Sequence, residues 1–328
     1  MSQNQRYKEI QLPQLRSFCL AANEGNFTVA ARALGLSPST VWQQVRALER
    51  RLAVRLLHRK GRAIELTNDG RLLLELIQPH VSGLDSLDRT FDARRAQAPK
   101  ELIVASGAYL FAHHLCQPIE RFRARRPSVQ VVLRISAWAA LHRLIERSNV
   151  DVAILAVDRD VPRSSVLEYE HLFDEQLSLL APDGHPLTRV RHLRPDHLVK
   201  FPLILPPKGG ADRKVIERFF RKHNLVQDVQ TAMVCGLIDV VTEYVVSGVG
   251  VALMYVTDSI RRSTPGLHVR VLDADIELLP IEMAVRKGSH LPDYVQDFRR
   301  MVRGFLSDKV SSAKNRSSLF AGTRIERR

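Results

Sequence analysis

Cysteine and long apolar stretches are scarce in this 328-residue chain. Its three cysteines, Cys19, Cys116 and Cys235, are scattered and do not suit a disulfide framework. No segment approaches the roughly 18 consecutive apolar residues needed to span a bilayer. The opening ten residues also lack the apolar core of a signal peptide. We therefore expect a cytoplasmic protein with no membrane partner, and we expect Cys19 to lie in a core.

Motifs that would mark a catalyst or a metal centre are missing as well. His113 and His114 are adjacent, so on a helix they point in different directions instead of sharing a ligand face. No Gly-Lys-Ser/Thr phosphate loop occurs, and the pair Gly248 and Gly250 precedes an apolar strand pattern instead of following one. We predict no catalytic residues, no metal and no cofactor, and keep an enzyme in the second half as the weakest alternative.

Positive charge is abundant and unevenly placed. The formal net charge is +14, and residues 1–100 hold 16 Lys and Arg against 9 Asp and Glu. Residues 101–305 hold 27 against 24, and residues 306–328 hold 6 against 2. Basic charge alone fits DNA, RNA or an anionic lipid surface. The length is too great for one core, so two or three packed units are expected.

The segment after Phe27 has the pattern of two short helices around a tight turn. The first helix can start at Thr28, whose hydroxyl would cap free N–H groups. It can end at Gly35, because glycine accepts the left-handed conformation that ends helices. Ser37 then suits a second cap, with Pro38 at the first helical position, where a missing N–H costs nothing. This arrangement is typical of a helix-turn-helix.

The second helix has two different faces. Apolar residues recur at four- and three-residue steps and predict the buried stripe: Val41, Val45, Leu48 and Leu52. The other row carries hydroxyl, amide, indole and guanidinium groups, which suit the DNA major groove: Ser39, Thr40, Trp42, Gln43 and Arg46. Taken alone, this row also fits a solvated helix face. Trp42 offers its ring either to a thymine methyl or to the preceding helix, and both interpretations stay open.

A basic hairpin pattern follows the second helix. Arg59, Lys60 and Arg62 cluster around Gly61, and apolar residues flank them on both sides. This pattern predicts a two-stranded wing whose tip lies against phosphates. An ordinary hairpin with a soluble tip is the alternative. The position directly after a recognition helix favours phosphate contact.

Residues 15–70 resemble the N-terminal domain of LysR-type transcriptional regulators. The resemblance rests on the stretches NFTVAARALGLS and RLAVRLLHRKGRAIELTNDG and on Leu48-Glu49, and it extends to about Leu306. The family usually has Ser at the positions of Asn26 and Trp42, Gln at that of Pro38, and Gly-x-x-Leu-Phe over residues 53–57. Pro38 and Trp42 stand where the family touches DNA, so the resemblance does not supply the operator sequence.

The resemblance implies a fold and a function for the whole chain. It implies an all-α winged helix-turn-helix (10–67), a linker helix that pairs two subunits (68–97) and a two-lobed α/β effector domain similar to periplasmic binding proteins (100–306). It implies a homodimer or homotetramer on inverted-repeat sites in double-stranded DNA, in contact with RNA polymerase and modulated by a small molecule. A ligand-independent repressor, an enzyme fused to a DNA-binding domain, and a redox pair of Cys116 with Cys235 remain alternatives.

The segment from Asn68 to about Ala96 has the spacing of a short coiled coil. Apolar or semi-apolar residues alternate at four- and three-residue steps: Leu73, Ile77, His80, Leu84, Leu87 and Phe91. Pro79 and Gly83 interrupt this seam, so a kink is expected there. The alternative is a helix packed on its own domain.

Beyond Lys100 strands and helices alternate, which argues for parallel sheets with helices on both faces. Strands are expected over residues 102–105, 129–135, 152–155, 177–181, 203–205, 251–254, 269–272 and 280–285. Helices are expected over the segment ending at 126 and over 138–148, 213–223, 237–246 and 292–305. Crossings near 161–167 and 265–268 predict one lobe from 100–163 with 268–306 and another from 168–265. Residues 307–328 are expected to form a basic, disordered tail that adds nonspecific attraction to DNA, or nothing.

Ligands of such sheets lie beyond the carboxyl ends of the strands, where helix N-termini expose N–H groups. The residues expected around the effector are Ser106, Gly107, Ala108, Tyr109, Ala137, Trp138, Pro207, Lys208 and Met254. Helix starts, a hydroxyl and the charge of Lys208 or Arg213 favour a small anion such as a carboxylate. Ser106 and Trp138 fit a cap or core contact equally well.

Overall fold

The structure is a computed structural model that describes residues 10–60, 63–87, 91, 95, 100–146, 150–256, 260, 263–272 and 276–306. The chain divides into two compact units. The first unit comprises residues 1–98 with 164–166 and 286–291, and the second comprises 99–163, 167–285 and 292–328. The predicted tail, 307–328, lies outside the described residues, as does Arg62. In the described part of the chain, no helix has the length and apolar character needed to cross a membrane.

In its described residues up to Phe91 and Arg95, the first unit consists of helices and one hairpin. Its elements are α1 (Leu12–Glu24), α2 (Phe27–Leu34), α3 (Pro38–Leu52), β1 (Leu57–Lys60), β2 (Ala63–Leu66) and α4 (Asn68–Asp85). The hairpin pairs Leu57 with Leu66 and Lys60 with Ala63. The predicted helix-turn-helix with a hairpin wing is therefore confirmed.

Local capping explains where the two short helices begin and end. Gly35 ends α2 in the left-handed conformation, with φ of 66°. The Ser37 hydroxyl accepts the N–H of Thr40 at 3.1 Å and Pro38 occupies the first helical position of α3, as predicted. The expectation that Thr28 caps α2 is wrong. Asn26 is the cap, because its side-chain oxygen accepts the N–H of Thr28 at 2.8 Å.

Asn26→Ala is expected to lower the free energy of unfolding of the first unit by about 1 kcal/mol, because the first turn of α2 loses its acceptor. Thr28→Ala is the matched control, and its effect should stay within about 0.5 kcal/mol. Urea unfolding followed by Trp42 fluorescence, in a Trp138→Phe background that removes the other tryptophan, measures both values. A larger loss in Thr28→Ala than in Asn26→Ala would contradict the capping seen here.

The core of the first unit joins α1, α2 and α3. Val41, Val45 and Leu48 are buried against Phe18, which confirms most of the predicted stripe, and Leu52 is partly buried at its edge. Cys19 lies in the same core, and burial raises the pKa of its thiol to about 12. A thiol with that pKa stays protonated, so Cys19 acts here as a small apolar side chain.

Helix α4 packs on this core through the first part of the predicted seam, and the later residues of that seam are exposed as predicted: His80, Leu84, Leu87 and Phe91. Leu73 and Ile77, expected in the exposed seam, are partly buried against the core of the first unit. The stripe left open begins instead with Leu72 and Leu76, which are 58% and 60% exposed. Gly70 fixes this docking, because a Cβ there would lie 2.1 Å from the Leu56 carbonyl oxygen. The helix continues past Pro79 to Asp85.

The second unit contains two five-stranded sheets. Its strands are β3 (Lys100–Ser106), β4 (Val129–Ile135), β5 (Val152–Ala156), β6 (Leu167–Glu175), β7 (Leu177–Pro182), β8 (Leu203–Leu205), β9 (Thr231–Val234), β10 (Val251–Tyr255), β11 (Leu267–Val271) and β12 (Leu279–Arg286). Its helices are α5 (Cys116–Arg125), α6 (Trp138–Glu146), α7 (Pro186–Arg189), α8 (Pro195–Leu198), α9 (Ala211–Lys222), α10 (Ile238–Val246) and α11 (293–306). A short turn, Ala108–Leu110, and a π-helical segment, Phe111–Leu115, precede α5.

The sheets are mixed, not parallel as predicted. The first lobe has the order β4-β3-β5-β12-β6 and the second lobe the order β11-β7-β10-β8-β9. β12 runs antiparallel to β5, and β7 runs antiparallel to β10 and β11. Parallel neighbours need a crossover connection, usually a helix. β7 and β12 are the strands by which the chain enters each sheet from the other lobe, so no crossover within the sheet fixes their direction.

The lobe boundaries also differ from those predicted by one strand each. β6 belongs to the first sheet and β11 to the second. The lobes therefore comprise residues 100–175 with 279–306, and 177–271, instead of 100–163 with 268–306, and 168–265. β6 and β9 were not predicted as strands. The chain passes from one lobe to the other at Gln176, between β6 and β7.

The second sheet is buried on both faces, which explains its continuous apolar strands. Alternate residues of β7 point to opposite sides: Leu179 joins the cluster that packs on α9, and Leu180 joins the cluster that packs on α10. Met254 lies in the α10 cluster. Tyr109 of the first lobe packs on that cluster, so the two lobes meet beside α10.

Candidate nucleic-acid interface and effector cleft

Helix α3 presents the predicted polar row to solvent. Pro38, Ser39, Trp42 and Gln43 are exposed, and Thr40 is half-buried. The Ser37 hydroxyl lies 2.7 Å from that of Ser39 and 2.8 Å from that of Thr40. Thr28 is exposed as well. This end of α3 therefore offers hydroxyl groups that are already oriented by each other.

Trp42 and Arg46 form a stacked pair on the same face. The Trp42 side chain is 46% exposed and lies outside the core of the first unit. The Arg46 guanidinium lies 5.2 Å from the centre of the indole ring, within cation–π distance. Trp42 is thus supported from the side by Arg46, and nearly half of its surface is open to a partner.

Glu49 anchors this pair and was not singled out from the sequence as a functional residue. Its carboxylate is buried and accepts the N–H groups of Leu56 at 2.9 Å and Leu57 at 3.2 Å. The Arg46 guanidinium donates to the same carboxylate at 2.6 Å. The side chain therefore ties the recognition helix to the start of the wing. The only signal in the sequence was its place in the Leu48-Glu49 motif.

The wing extends from the recognition helix as a short hairpin. The Ile64 N–H donates to the Gly25 carbonyl at 2.9 Å, which fixes β2 against the turn between α1 and α2. Arg59 and Lys60 end β1. Their side chains and the whole of Arg62 lie outside the described part, so phosphate contact by these three residues stays a prediction.

In the first lobe, two of the predicted effector residues are held by internal contacts. Ser106 is fully buried and its hydroxyl donates to the Ile154 carbonyl at 2.7 Å. The Trp138 indole N–H donates to the Ala156 carbonyl at 2.7 Å, and the Lys214 ammonium lies 5.2 Å from the indole centre. Both arrangements fit the alternative of a core contact better than a side chain waiting for a ligand.

The other predicted effector residues separate into two groups. Tyr109 and Met254 meet at the cluster beside α10, and Gly107 and Ala108 lead into that region half-buried. Ala137, Pro207 and Lys208 are exposed. Arg213 is buried and already donates to Glu217 at 2.8 Å and to the Pro206 carbonyl at 3.1 Å. Its charge is therefore committed within the lobe.

An aromatic and histidine cluster lies beside Tyr109 and was missed in the sequence. The Tyr109 ring centre is 4.9 Å from that of His113 and 5.6 Å from that of His114. His114 stacks on Phe173 at 4.6 Å, and its Nε2 lies 2.9 Å from a carboxylate oxygen of Glu175. His114 and Glu175 are both buried. The π-helical segment brings both histidines toward the ring of Tyr109, despite their adjacency in sequence.

Carboxylates surround this cluster. Burial lowers the pKa of His113, the charge of His114 lowers it further, and Asp239 of α10 opposes both. Burial likewise raises the pKa of Asp212 at the start of α9, although N–H groups and the Arg213 charge oppose it, and Glu175 adds to the rise. Within the described ranges, no three His, Cys, Asp or Glu side chains are placed to hold a metal ion. The cluster is therefore acidic and aromatic.

A winged helix-turn-helix joined to a two-lobed α/β domain defines a class of DNA-binding regulators with a ligand-binding half. Comparisons agree at both ends of the chain. The family described as "Bacterial regulatory helix-turn-helix protein, lysR family" matches residues 12–71. The family described as "LysR substrate binding domain" matches residues 95–307. The chain belongs to the LysR family of bacterial transcriptional regulators, and it is a DNA-binding regulator with an effector-binding domain.

Individual relatives span nearly the whole chain. The RuBisCO operon transcriptional regulator of Allochromatium vinosum is 26% identical over 300 residues, covering 89% of this chain and 95% of its own. The OxyR C206 mutant of Corynebacterium glutamicum superposes with a TM-score of 0.55 at 22% identity, covering 94% and 97% of the two chains. CbnR in complex with its target DNA has a TM-score of 0.51 at 22% identity and covers 90% and 100%. These solved structures share the fold.

Proposed function

We propose that two copies of this chain bind an inverted repeat in double-stranded DNA, with α3 of each copy in the major groove and each wing against phosphates. The observation that carries this proposal is the exposed row on α3, held in place by the buried Glu49 carboxylate. Residues proposed to contact DNA are Thr28, Ser37, Pro38, Ser39, Thr40, Trp42, Gln43, Arg46, Arg59, Lys60 and Arg62. Half-sites then lie about one helical turn apart, or a multiple of it.

Within this row Trp42 is the residue that reads a base. Arg46 donates an N–H to Glu49, which restricts its rotation, and its guanidinium lies over the indole ring. Arg46 therefore positions Trp42. A large exposed ring held in one orientation offers apolar area at low entropic cost. The apolar feature of the major groove is the thymine methyl. We therefore propose that Trp42 selects thymine at one position of each half-site.

Deleting that methyl is expected to cost about 0.8 kcal/mol, or about fourfold in affinity, at one position per half-site, because one methyl loses its apolar contact. The operator is first selected from random duplexes, and each thymine is then replaced by uracil. The Trp42→Ala variant should bind every uracil-substituted duplex with the same affinity as the thymine-containing operator. The Gln43→Ala variant, changed one residue along the same face, should still lose affinity when the methyl is removed. An equal methyl penalty in Trp42→Ala and the unchanged chain would contradict the assignment.

The small-molecule effector is proposed to bind between the lobes, beside Tyr109 and Met254. Gly107, Ala108, Ala137, Pro207 and Lys208 are proposed to border it, with Ser106 and Trp138 supporting the loops. The aromatic rings of Tyr109, His113 and Phe173 and the carboxylates of Glu175 and Asp212 favour an organic ammonium group over the carboxylate expected from the sequence. Cations bind ring faces and pair with carboxylates. The effector can shift the equilibrium between two conformations of the regulator only if it binds one of them more tightly than the other.

Ring compounds matched in size and carrying either an ammonium or a carboxylate test the effector class. Ammonium compounds at saturating concentration should raise the thermal unfolding midpoint by about 5 °C, since a ligand at about 100 times its Kd adds about 2.7 kcal/mol. Glu175→Gln should remove most of that rise. Stabilisation by the carboxylate series alone, unaffected by Glu175→Gln, would return the proposal to an anionic effector.

The finer regulatory steps are proposed on the same basis. The dimer, or a pair of dimers, stands beside a promoter and contacts RNA polymerase. Closure of the lobes on the effector changes the spacing of the DNA-binding pairs and the bend of the DNA. A regulator that needs no ligand would leave the operator footprint unchanged across all candidate effectors.

A further inference from the structure

A cavity lies on the first lobe, away from the residues proposed to border the effector. It encloses about 430 Å³ between the last turn of α5 and helix α11. Its lining comprises Phe122, Arg125, Arg126, Asp297, Arg300 and Met301. Three of the six side chains are guanidinium groups and one is a carboxylate. The DNA-binding unit and the effector cleft use none of them.

The lining of this cavity has more positive than negative side chains. Asp297 pairs with both Arg126 and Arg300, so two guanidinium groups share one carboxylate. Arg125 is exposed and has no acidic partner within the described ranges. The cavity therefore keeps an excess of two positive charges among its lining groups.

The arginines around the cavity, outside its lining, are also basic. Glu170 pairs with Arg303 at 2.9 Å and lies 3.7 Å from Arg299, so these two arginines share one carboxylate. Arg121 stacks its guanidinium on Phe305 at 4.8 Å and keeps its charge. The cavity therefore differs from the surface around it by its concave shape and not by its charge alone.

The apolar side chains of the lining are Phe122 and Met301. Phe122 is fully buried and packs edge-on against Phe298, with ring centres 5.4 Å apart. Met301 is partly exposed, so it is the apolar side chain that a ligand can contact beside the guanidinium groups.

We propose that this cavity binds a small organic diphosphate. Guanidinium forks match phosphate oxygens in bidentate geometry, and an excess of two charges calls for a ligand with at least two. Asp297 already orients Arg126 and Arg300, which reduces the ordering cost of binding. The volume exceeds that of one phosphate and falls in the range of small-molecule sites, leaving room for an organic part beside Met301.

Isothermal titration of the full chain with pyrophosphate, at constant ionic strength, tests this site. Sodium sulfate is the control, because its anion has one tetrahedral group where pyrophosphate has two, and it should bind more weakly. Arg125→Gln should lower pyrophosphate affinity about tenfold, because one charged hydrogen-bonding group is lost. Arg123→Gln is the matched control: Arg123 is an exposed arginine two residues earlier on α5 that does not line the cavity. It should leave the affinity unchanged.

Two results would overturn the proposal. Equal affinity in Arg125→Gln and the unchanged chain would place the pyrophosphate elsewhere on this basic protein. Displacement of pyrophosphate from the Arg125-dependent site by nonspecific duplex DNA would mean that the cavity serves nucleic-acid phosphates. Binding that depends on Arg125 and persists with saturating duplex supports a small-molecule site, whatever the outcome for the DNA interface and the effector cleft.

Discussion

Glu49→Ala is expected to lower the free energy of unfolding of the first unit by about 2–6 kcal/mol, because two buried N–H groups lose their acceptor at about 1–3 kcal/mol each. The side chain is only 5% exposed. Its loss leaves the N–H groups of Leu56 and Leu57 without their acceptor and the Arg46 guanidinium without its anchor. One substitution therefore loosens both the wing and the recognition helix.

Tryptophan fluorescence can measure the unfolding of the first unit by itself. Its two tryptophans, Trp42 and Trp138, lie in different units. In a Trp138→Phe background, Trp42 fluorescence during urea unfolding follows the first unit. Glu49→Gln keeps a hydrogen-bond acceptor without the charge, so its free energy of unfolding should lie between those of the unchanged chain and Glu49→Ala. Glu75→Ala, an exposed acidic residue on α4, should change the free energy by less than about 0.5 kcal/mol. A decrease of less than about 1 kcal/mol in the free energy of unfolding of Glu49→Ala would contradict the claim that Glu49 anchors the wing and the recognition helix.

The paired change of Leu72 and Leu76 to Gln is expected to abolish the dimer and to weaken operator binding by about 100-fold. These two leucines are one turn apart, and the exposed apolar residues Leu84, Leu87 and Phe91 follow them toward the C-terminus. A stripe of this kind marks a surface that another chain covers. Two half-sites bound by linked copies gain roughly 10²–10⁴ in avidity, and separated copies lose that gain.

Sedimentation and operator titration measure the two halves of this prediction. The double variant should sediment as a monomer and bind a single half-site as tightly as the unchanged chain does. Arg71→Gln, exposed on the same helix beside the stripe, is the control and should leave the oligomer intact. A Leu72 and Leu76 variant that stays dimeric, with unchanged affinity for the full operator, would move the subunit contact away from α4.

The helix-turn-helix was predictable because its signals are local. Gly35 and the Ser37-Pro38 pair set the turn through backbone preferences that act within a few residues. The same locality explains the error at Thr28, since Asn26 and Thr28 are both good caps and the choice depends on where the chain enters the helix. Glu49 was not predictable as an anchor, because its partners lie seven and eight residues away in a loop with no regular pattern.

The second unit shows the limit of periodicity more clearly. Strand positions such as 129–135 and 203–205 followed from apolar runs, but strand direction did not. Whether β12 runs parallel or antiparallel depends on how the chain returns from the other lobe, which no local pattern records. The pairing of His114 with Glu175 is likewise a contact across the fold. The exposed face of α4 differed from the predicted seam only over its first turns, where Leu73 and Ile77 are partly buried, because Gly70 docks the helix on the hairpin.

Selection of genomic duplex fragments by the purified full chain, followed by sedimentation of the complex, tests the central claim most directly. The account predicts enrichment of fragments that carry an inverted repeat, bound by an even number of copies. A monomeric protein that retains no fragment above bulk competitor DNA would contradict it.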